Sequence, residues 1–219
     1  MRTITCVFMM SLLPPESLLL PPLGASHARG MSDEGKPLRI SIQIKMGESS
    51  VRGVGGVLDT VSSILFVCTG NVFRSVVAEY ALKARLGPES PYVVGSAGIE
   101  ALPQPFPPLI RHRLLEKGSD PSPHVQRRLT RELVEETDLV VAMGLNHREF
   151  IRRHFGREVL LFNQMCFQKE EPILDVHEAV PQWNVNLGAA RDHILSIIDY
   201  IWEAMPAFLA RLPLVPPDQ

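Results

Sequence analysis

The sequence predicts an α/β domain built on a four-stranded parallel sheet, doubly wound, with a tight loop of functional importance after the first strand. Three observations predict it. Short continuous apolar runs, Ile64–Val67, Asp138–Met143 and Val159–Phe162, have the length and character of strands buried on both faces. Amphipathic helical stretches separate them, the alternation that parallel strands and crossover helices require. The first run passes into the first helix through a loop containing Gly70-Asn71, residue types that tolerate tight backbone.

Residues 1–62 stand apart. An apolar stretch, Thr3–Leu13, is broken by Pro14-Pro15; Pro21-Pro22 and Ala25-Ser26-His27-Ala28 follow. This reads as an N-terminal extension, disordered or upstream of the functional start, with Met31 and Met46 as alternative starts. The other reading is a secretory leader cut after Ala28, which the paired prolines weaken. Arg39–Lys45 alternates briefly, and Gly53–Gly56 is Gly-rich.

The domain spans residues 63–212, with 213–219 as a tail. Ile64–Val67 is the first strand. A helix runs from Arg74 to Leu86, burying Val77, Ala78, Ala81, Leu82 and Leu86, with Glu79 and Lys83 paired on its outer face; Gly87-Pro88 stops it. Tyr92–Gly95 is the second strand. Pro107-Pro108 opens a helix through Leu115, and Gly118 closes it. Thr130 caps a short helix to Glu136. Asp138–Met143 is the third strand. Asn146 and Glu149 form a capping-box variant before a helix ending near Phe155-Gly156. Val159–Phe162 is the fourth strand. Leu187–Phe208 is a long helix that Pro206 should kink or end. The expected strand order is flavodoxin-like, 2-1-3-4, which sets ligands beyond the carboxyl end of the first strand.

Composition narrows the function. The chain has 219 residues, 22 Lys and Arg against 24 Asp and Glu, and an apolar share of 45%. A net charge of −2 argues against a general nucleic-acid binder. No apolar run approaches the roughly 20 residues of a membrane span. Three cysteines, Cys6, Cys68 and Cys166, make no disulfide framework and suit a reducing, cytoplasmic compartment. His147, His154 and His193 read as surface histidines without metal-ligand spacing, so no metal is expected, and no cofactor.

The chemistry lies in Cys68-Thr69-Gly70-Asn71-Val72-Phe73-Arg74-Ser75. A loop between a buried strand and a helix N-terminus turns several backbone N–H groups into one concavity, an anion site. Arg74 closes it with a planar fork for two oxygens of a phosphate-like anion. Cys68 opens it, among dipoles and a guanidinium that favour a thiolate, and Ser75 can donate to the sulfur. A nucleophile at the floor of a cup for a tetrahedral anion implies attack on phosphorus and a thiophosphoryl-enzyme. The cup would stabilise the equatorial oxygens, so the reaction needs no metal.

Ile64–Ala81 resembles the phosphate-binding loop of the low-molecular-weight protein tyrosine phosphatase family, which reads Val-Cys-x-Gly-Asn-x-Cys-Arg-Ser-Pro-x-Ala-Glu. The resemblance extends to Gly95-Ser96-Ala97-Gly98, to Ser122-x-His124-x-x-Arg127 with Leu129-Thr130, and to Asp138–Met143, covering about residues 63–212. It implies Cys68 as nucleophile, residues 69–75 as phosphate binders, and Asn71 propping the loop through Ser75, Ser96 and His124. Two positions depart from the pattern. Phe73 replaces the second loop cysteine, removing a partner for oxidised Cys68, and Val76 replaces the next proline.

The resemblance also implies a general acid, an Asp followed by Pro and an aromatic residue after the fourth strand. In Glu170–Glu178 the best match is Asp175, although Val176 stands where the proline would be; Glu178 is second and Glu171 third. Val72 is expected on the pocket wall, with Leu102, Phe106, His177 and Trp183 as rim candidates. These point to phosphotyrosine on a protein, or a small aryl phosphate. Phosphoarginine is the alternative that the resemblance supplies. Two rival functions are arsenate reduction on the same fold, which needs a relay of thiols, and non-catalytic binding of phosphoproteins.

Overall fold

The computed structural model describes residues 61–212; the expectations for residues 1–60 and for the tail lie outside the described residues. The elements in order are β1 (Ser63–Cys68), α1 (Arg74–Leu86), β2 (Val93–Gly98), α2 (Pro108–Glu116), α3 (Arg131–Glu136), β3 (Leu139–Ala142), α4 (Leu145–Phe155), β4 (Leu160–Leu161), α5 (Phe162–Phe167), α6 (Val176–Ala179) and α7 (Leu187–Leu209). The sheet is parallel throughout, in the order β2-β1-β3-β4 expected from the sequence. Among the described residues no helix is long and apolar enough to cross a membrane.

β1 is central, which explains its continuous apolar run: Ile64, Leu65, Phe66 and Val67 are all buried. Alternate residues feed two cores. Ile64 and Phe66 face α1 and α7; Leu65 and Val67 face Val134 of α3 and Ile151 of α4. Phe66 lies 5.4 Å from Phe208 and 6.3 Å from Phe162, ring centroid to ring centroid, so the long last helix is fixed against the middle of the sheet.

Several boundaries differ from expectation: β2 runs on to Gly98 instead of ending at Gly95, and β3 is a residue shorter at each end. The fourth strand has only two residues, because Phe162 turns into α5 and packs into the first core. α4 starts at Leu145 with Gly144 at its N-cap, so Asn146 lies inside the helix rather than capping it. Pro206 sits within α7, which continues to Leu209; a proline in the last turn forfeits one backbone hydrogen bond without ending the helix. The short α6, capped by Asp175, was not expected.

The entry of β1 is tied to β3 by Asp138. Its Oδ2 accepts from the backbone N–H groups of Ser62 and Ser63, each at 2.9 Å, and from both hydroxyls, at 2.8 and 2.9 Å. These bonds, led by that of the Ser62 N–H, lower the carboxyl from 3.8 to about 2. A depressed folded-state value means stability that is full above the unfolded value and is lost as pH falls from there toward 2. Asp138→Asn is therefore expected to lower the melting temperature by a few degrees at neutral pH, about 1 kcal/mol after solvent screening. Melting curves across pH should show the gap to the wild type closing between pH 4 and 2.

Candidate functional site

The loop after β1 is shaped from the β2 side. The Cys68 carbonyl accepts from Ile99 N–H at 3.0 Å and the Thr69 carbonyl from Glu100 N–H at 2.9 Å. Gly98 makes this approach possible: a Cβ there would stand 2.6 Å from the Thr69 carbonyl oxygen and 2.8 Å from the Asn71 nitrogen. The left-handed residue of the loop is Asn71, at φ 52°, and not Gly70. An asparagine can hold that conformation when its side chain is bonded on both ends.

It is. Asn71 Nδ2 donates to Ser96 Oγ at 2.7 Å and to Ser75 Oγ at 3.3 Å, and Oδ1 accepts from the Arg127 N–H at 2.9 Å. His124 Nε2 meets the Asn71 carbonyl at 3.1 Å. The trio of Ser75, Ser96 and His124 thus gathers on Asn71, with His124 on its backbone rather than its side chain. Sequence reasoning missed two further members. Arg127 contributes its N–H. Glu79, read as half of an exposed pair, is buried: Oε2 accepts from Ser96 Oγ at 2.5 Å and Oε1 from Lys83 at 2.5 Å. Only Lys83 lies toward solvent.

Ser75 Oγ lies 2.9 Å from Cys68 Sγ. Because that oxygen already receives the Asn71 amide, its own hydrogen is free to be donated to the sulfur. Phe73 is buried in the first core, and Val72 is 4% exposed with Cγ2 toward Gly70, leaving little of it to contact a substrate ring.

Arg74 is 1% exposed and reaches away from the loop's own helix toward the 173–178 segment. One Nη donates to the Ile173 carbonyl at 2.8 Å, the other to Asp175 Oδ2 at 2.6 Å, and Glu178 Oε2 stands 3.6 Å away. Its buried Nε has no partner among the described residues. Asp175 is buried too, as the N-cap of α6. Its Oδ1 accepts from Val176 N–H at 2.7 Å, a donor that a proline at 176 would lack, while its own N–H donates to Glu178 Oε2 at 2.6 Å. The three acidic candidates therefore separate. Asp175 faces Arg74, Glu178 braces the backbone of Asp175, and Glu171 is exposed.

His147, expected at the surface, is fully buried on α4, with Nε2 2.9 Å from Thr69 Oγ1. Burial first, and the nearby Arg74 charge second, hold its imidazole well below the usual histidine range. The signal that could have found it is positional. It lies three residues after Gly144, beyond the carboxyl end of a strand adjacent to β1, where ligands gather. Of the rim candidates, Phe106 packs on His124 with centroids 5.7 Å apart and Trp183 packs against the first core, while Leu102 and His177 are exposed. Among the described residues no group of three or more His, Cys, Asp or Glu could hold a metal ion.

A family model for low molecular weight phosphotyrosine protein phosphatases matches residues 63–212. A protein-arginine-phosphatase of Bacillus subtilis (strain 168) is 43% identical over 96 residues, which are 43% of this chain and 63% of the relative. The chain therefore spans less than two thirds of that relative's length. The low molecular weight protein-tyrosine-phosphatase Etp of Escherichia coli (strain K12) is 35% identical over 116 residues, 51% of this chain and 76% of Etp. Among solved structures, a YwlE arginine phosphatase mutant with a phosphorylated active-site serine in place of cysteine is 30% identical, with a TM-score of 0.57, covering 68% of this chain and 93% of that one.

Proposed function

We propose that this chain, which belongs to the low molecular weight phosphotyrosine protein phosphatase family, hydrolyses phosphate monoesters through a covalent phosphocysteine. The observation that carries the reading is the convergence on one loop of Cys68, hydrogen-bonded to Ser75, and a buried Arg74 paired with Asp175. Cys68 Sγ attacks phosphorus and forms an S–P bond as the bond to the leaving oxygen breaks. Asp175, protonated for this step, delivers its proton to that oxygen. Water then attacks phosphorus, Asp175 takes a proton from it, and the S–P bond breaks to return the thiolate and inorganic phosphate.

The loop N–H groups and Arg74 meet the charge that grows on the equatorial oxygens. The unpartnered Arg74 Nε is a donor for one of them. Both oxygens of Asp175 are engaged, one by Val176 and one by Arg74. A bound phosphate competes for the Arg74 Nη and frees Oδ2 to face the leaving group, which couples substrate binding to release of the acid. The related arginine phosphatase whose active-site serine is phosphorylated supports a phosphoryl group carried at the position of Cys68.

The substrate we favour is phosphotyrosine on a protein, in the cytoplasm, where free cysteines such as Cys68 and Cys166 persist. Phosphoarginine is the second reading, favoured by the 43% identical relative named a protein-arginine-phosphatase. Arsenate reduction needs a second accessible thiol. Cys166, the other described cysteine, is buried and pushed up to about 12 by burial, a poor relay. The test is hydrolysis by the full chain of p-nitrophenyl phosphate, a phosphotyrosine peptide and a phosphoarginine peptide. Phosphotyrosine is expected to lead phosphoarginine by about tenfold in kcat/KM, roughly 1.4 kcal/mol of transition-state preference. The opposite order moves the substrate class to phosphoarginine. Phosphate binding without turnover of any of the three overturns the enzymatic reading and leaves a phosphoprotein binder.

A further inference from the structure

The phosphate loop is tied by side chains on two sides, and the two sides are unequal. From the β2 side come Ser96, His124 and Arg127, all converging on Asn71. From the β3–α4 side the described residues supply one hydrogen bond, His147 Nε2 to Thr69 Oγ1 at 2.9 Å. Thr69 is the first residue after the sulfur. The peptides on either side of it are held by Ile99 through the Cys68 carbonyl and by Glu100 through its own carbonyl, and His147 holds its side chain.

The histidine is an expensive way to fill that position. The ring is wholly buried, and Nδ1 has no partner among the described residues, a cost that an apolar side chain would not carry. Room for it depends on Gly144, where a Cβ would stand 3.1 Å from Nδ1 and 3.2 Å from Cε1. A buried polar ring with one nitrogen unsatisfied, beside a residue that leaves space for it, is a local sacrifice of stability at a functional loop.

We infer that His147 is a positioning residue of the phosphate cup, acting through the hydroxyl of Thr69 to hold the first turn of the loop in the geometry that receives the transition-state oxyanion. It touches neither the sulfur nor the leaving group. The inference rests on the phosphatase reading above and adds to it a second support for the loop, independent of the Asn71 network. The uncharged form suits the role: a neutral ring next to Arg74 leaves the guanidinium as the charge that faces the phosphate.

The experiment compares the full-length wild type with His147→Ala, His147→Gln, Thr69→Val and the double variant His147→Ala/Thr69→Val on p-nitrophenyl phosphate. A glutamine amide reaches the position of Nε2 and can restore the bond; valine keeps the shape of threonine without its hydroxyl. His147→Ala and Thr69→Val are each expected to lower kcat by about tenfold with little change in KM, because the loss falls on the transition state. The double variant should lose no more than either single one, since both remove the same bond. His147→Gln should recover most of the loss. Unchanged kcat in His147→Ala, losses that multiply in the double variant, or no recovery in His147→Gln overturns the inference. Should His147→Ala fold poorly in thermal melts, Thr69→Val against wild type carries the same decision. If the wild type itself hydrolyses nothing, the phosphatase reading falls separately. Orthovanadate binding by calorimetry then decides for His147: about tenfold weaker in His147→Ala and Thr69→Val and restored in His147→Gln supports the positioning role, and equal affinity in all variants sinks it.

Discussion

Cys68→Ser is expected to abolish turnover of p-nitrophenyl phosphate, by roughly four orders of magnitude or more, while orthovanadate and inorganic phosphate still bind within a few-fold of the wild type. The two halves of this result come from different parts of the loop. Binding belongs to the backbone N–H groups and to Arg74, whose position is fixed by Ile173 and Asp175 and owes nothing to the sulfur. Turnover belongs to the nucleophile. A serine hydroxyl at this position can accept the hydrogen that Ser75 gives the sulfur at 2.9 Å. That bond does not make an alkoxide available near neutral pH, whereas a thiol as a class ionises far more readily than a hydroxyl. Parallel kinetics and calorimetry read both halves. Retention of more than about a tenth of wild-type kcat would remove Cys68 from the reaction, and loss of oxyanion binding along with turnover would show instead that the sulfur shapes the cup.

The same loop shows what a sequence can and cannot reveal. α1 was legible at both ends, near Arg74 and Leu86, because its start follows a loop with recognisable chemistry and its end carries Gly87-Pro88. β1 was legible because a strand buried on both faces has no polar position to confuse its reading, and the sheet order came with the doubly wound fold class that the alternation of strands and helices implied. The failures share a cause. Glu79 and Lys83 satisfy the helical i,i+4 rule, and nothing local says that the carboxylate of that pair turns inward to Ser96 while only the ammonium faces water. His147 looks like any polar residue in the first turn of a helix; its partner Thr69 is 78 residues away in sequence. β4 shrank and α5 appeared because Phe162 has a stacked ring partner in Phe208 of the last helix, 5.9 Å between centroids, a long-range contact that overrides the local apolar run. Helix and strand were readable from periodicity. Polar groups that turn inward were readable only where a motif named them.

Asp175→Asn is expected to lower kcat by about a hundredfold on an alkyl or unsubstituted phenyl phosphate and by much less on p-nitrophenyl phosphate. Asparagine is close in shape and caps helices as well as aspartate does, so α6 and the bond from Val176 N–H are preserved. Lost are the proton that a neutral acid delivers and the negative charge opposite Arg74. The second loss by itself weakens the fold, because a buried guanidinium gives up its ionic partner. A weakened fold, however, lowers the rate on every substrate alike. Dependence on the leaving group separates the two: a good leaving group departs without a proton, and a poor one does not. Glu178→Gln serves as the internal comparison. Glu178 holds the Asp175 N–H and stands 3.6 Å from Arg74, and its loss should lower kcat evenly across leaving groups. If Asp175→Asn instead slows all substrates by the same factor, Asp175 is an anchor for Arg74 and not the acid. If Glu178→Gln shows the leaving-group dependence in its place, the proton comes from Glu178 and the N-cap of α6 is only its scaffold.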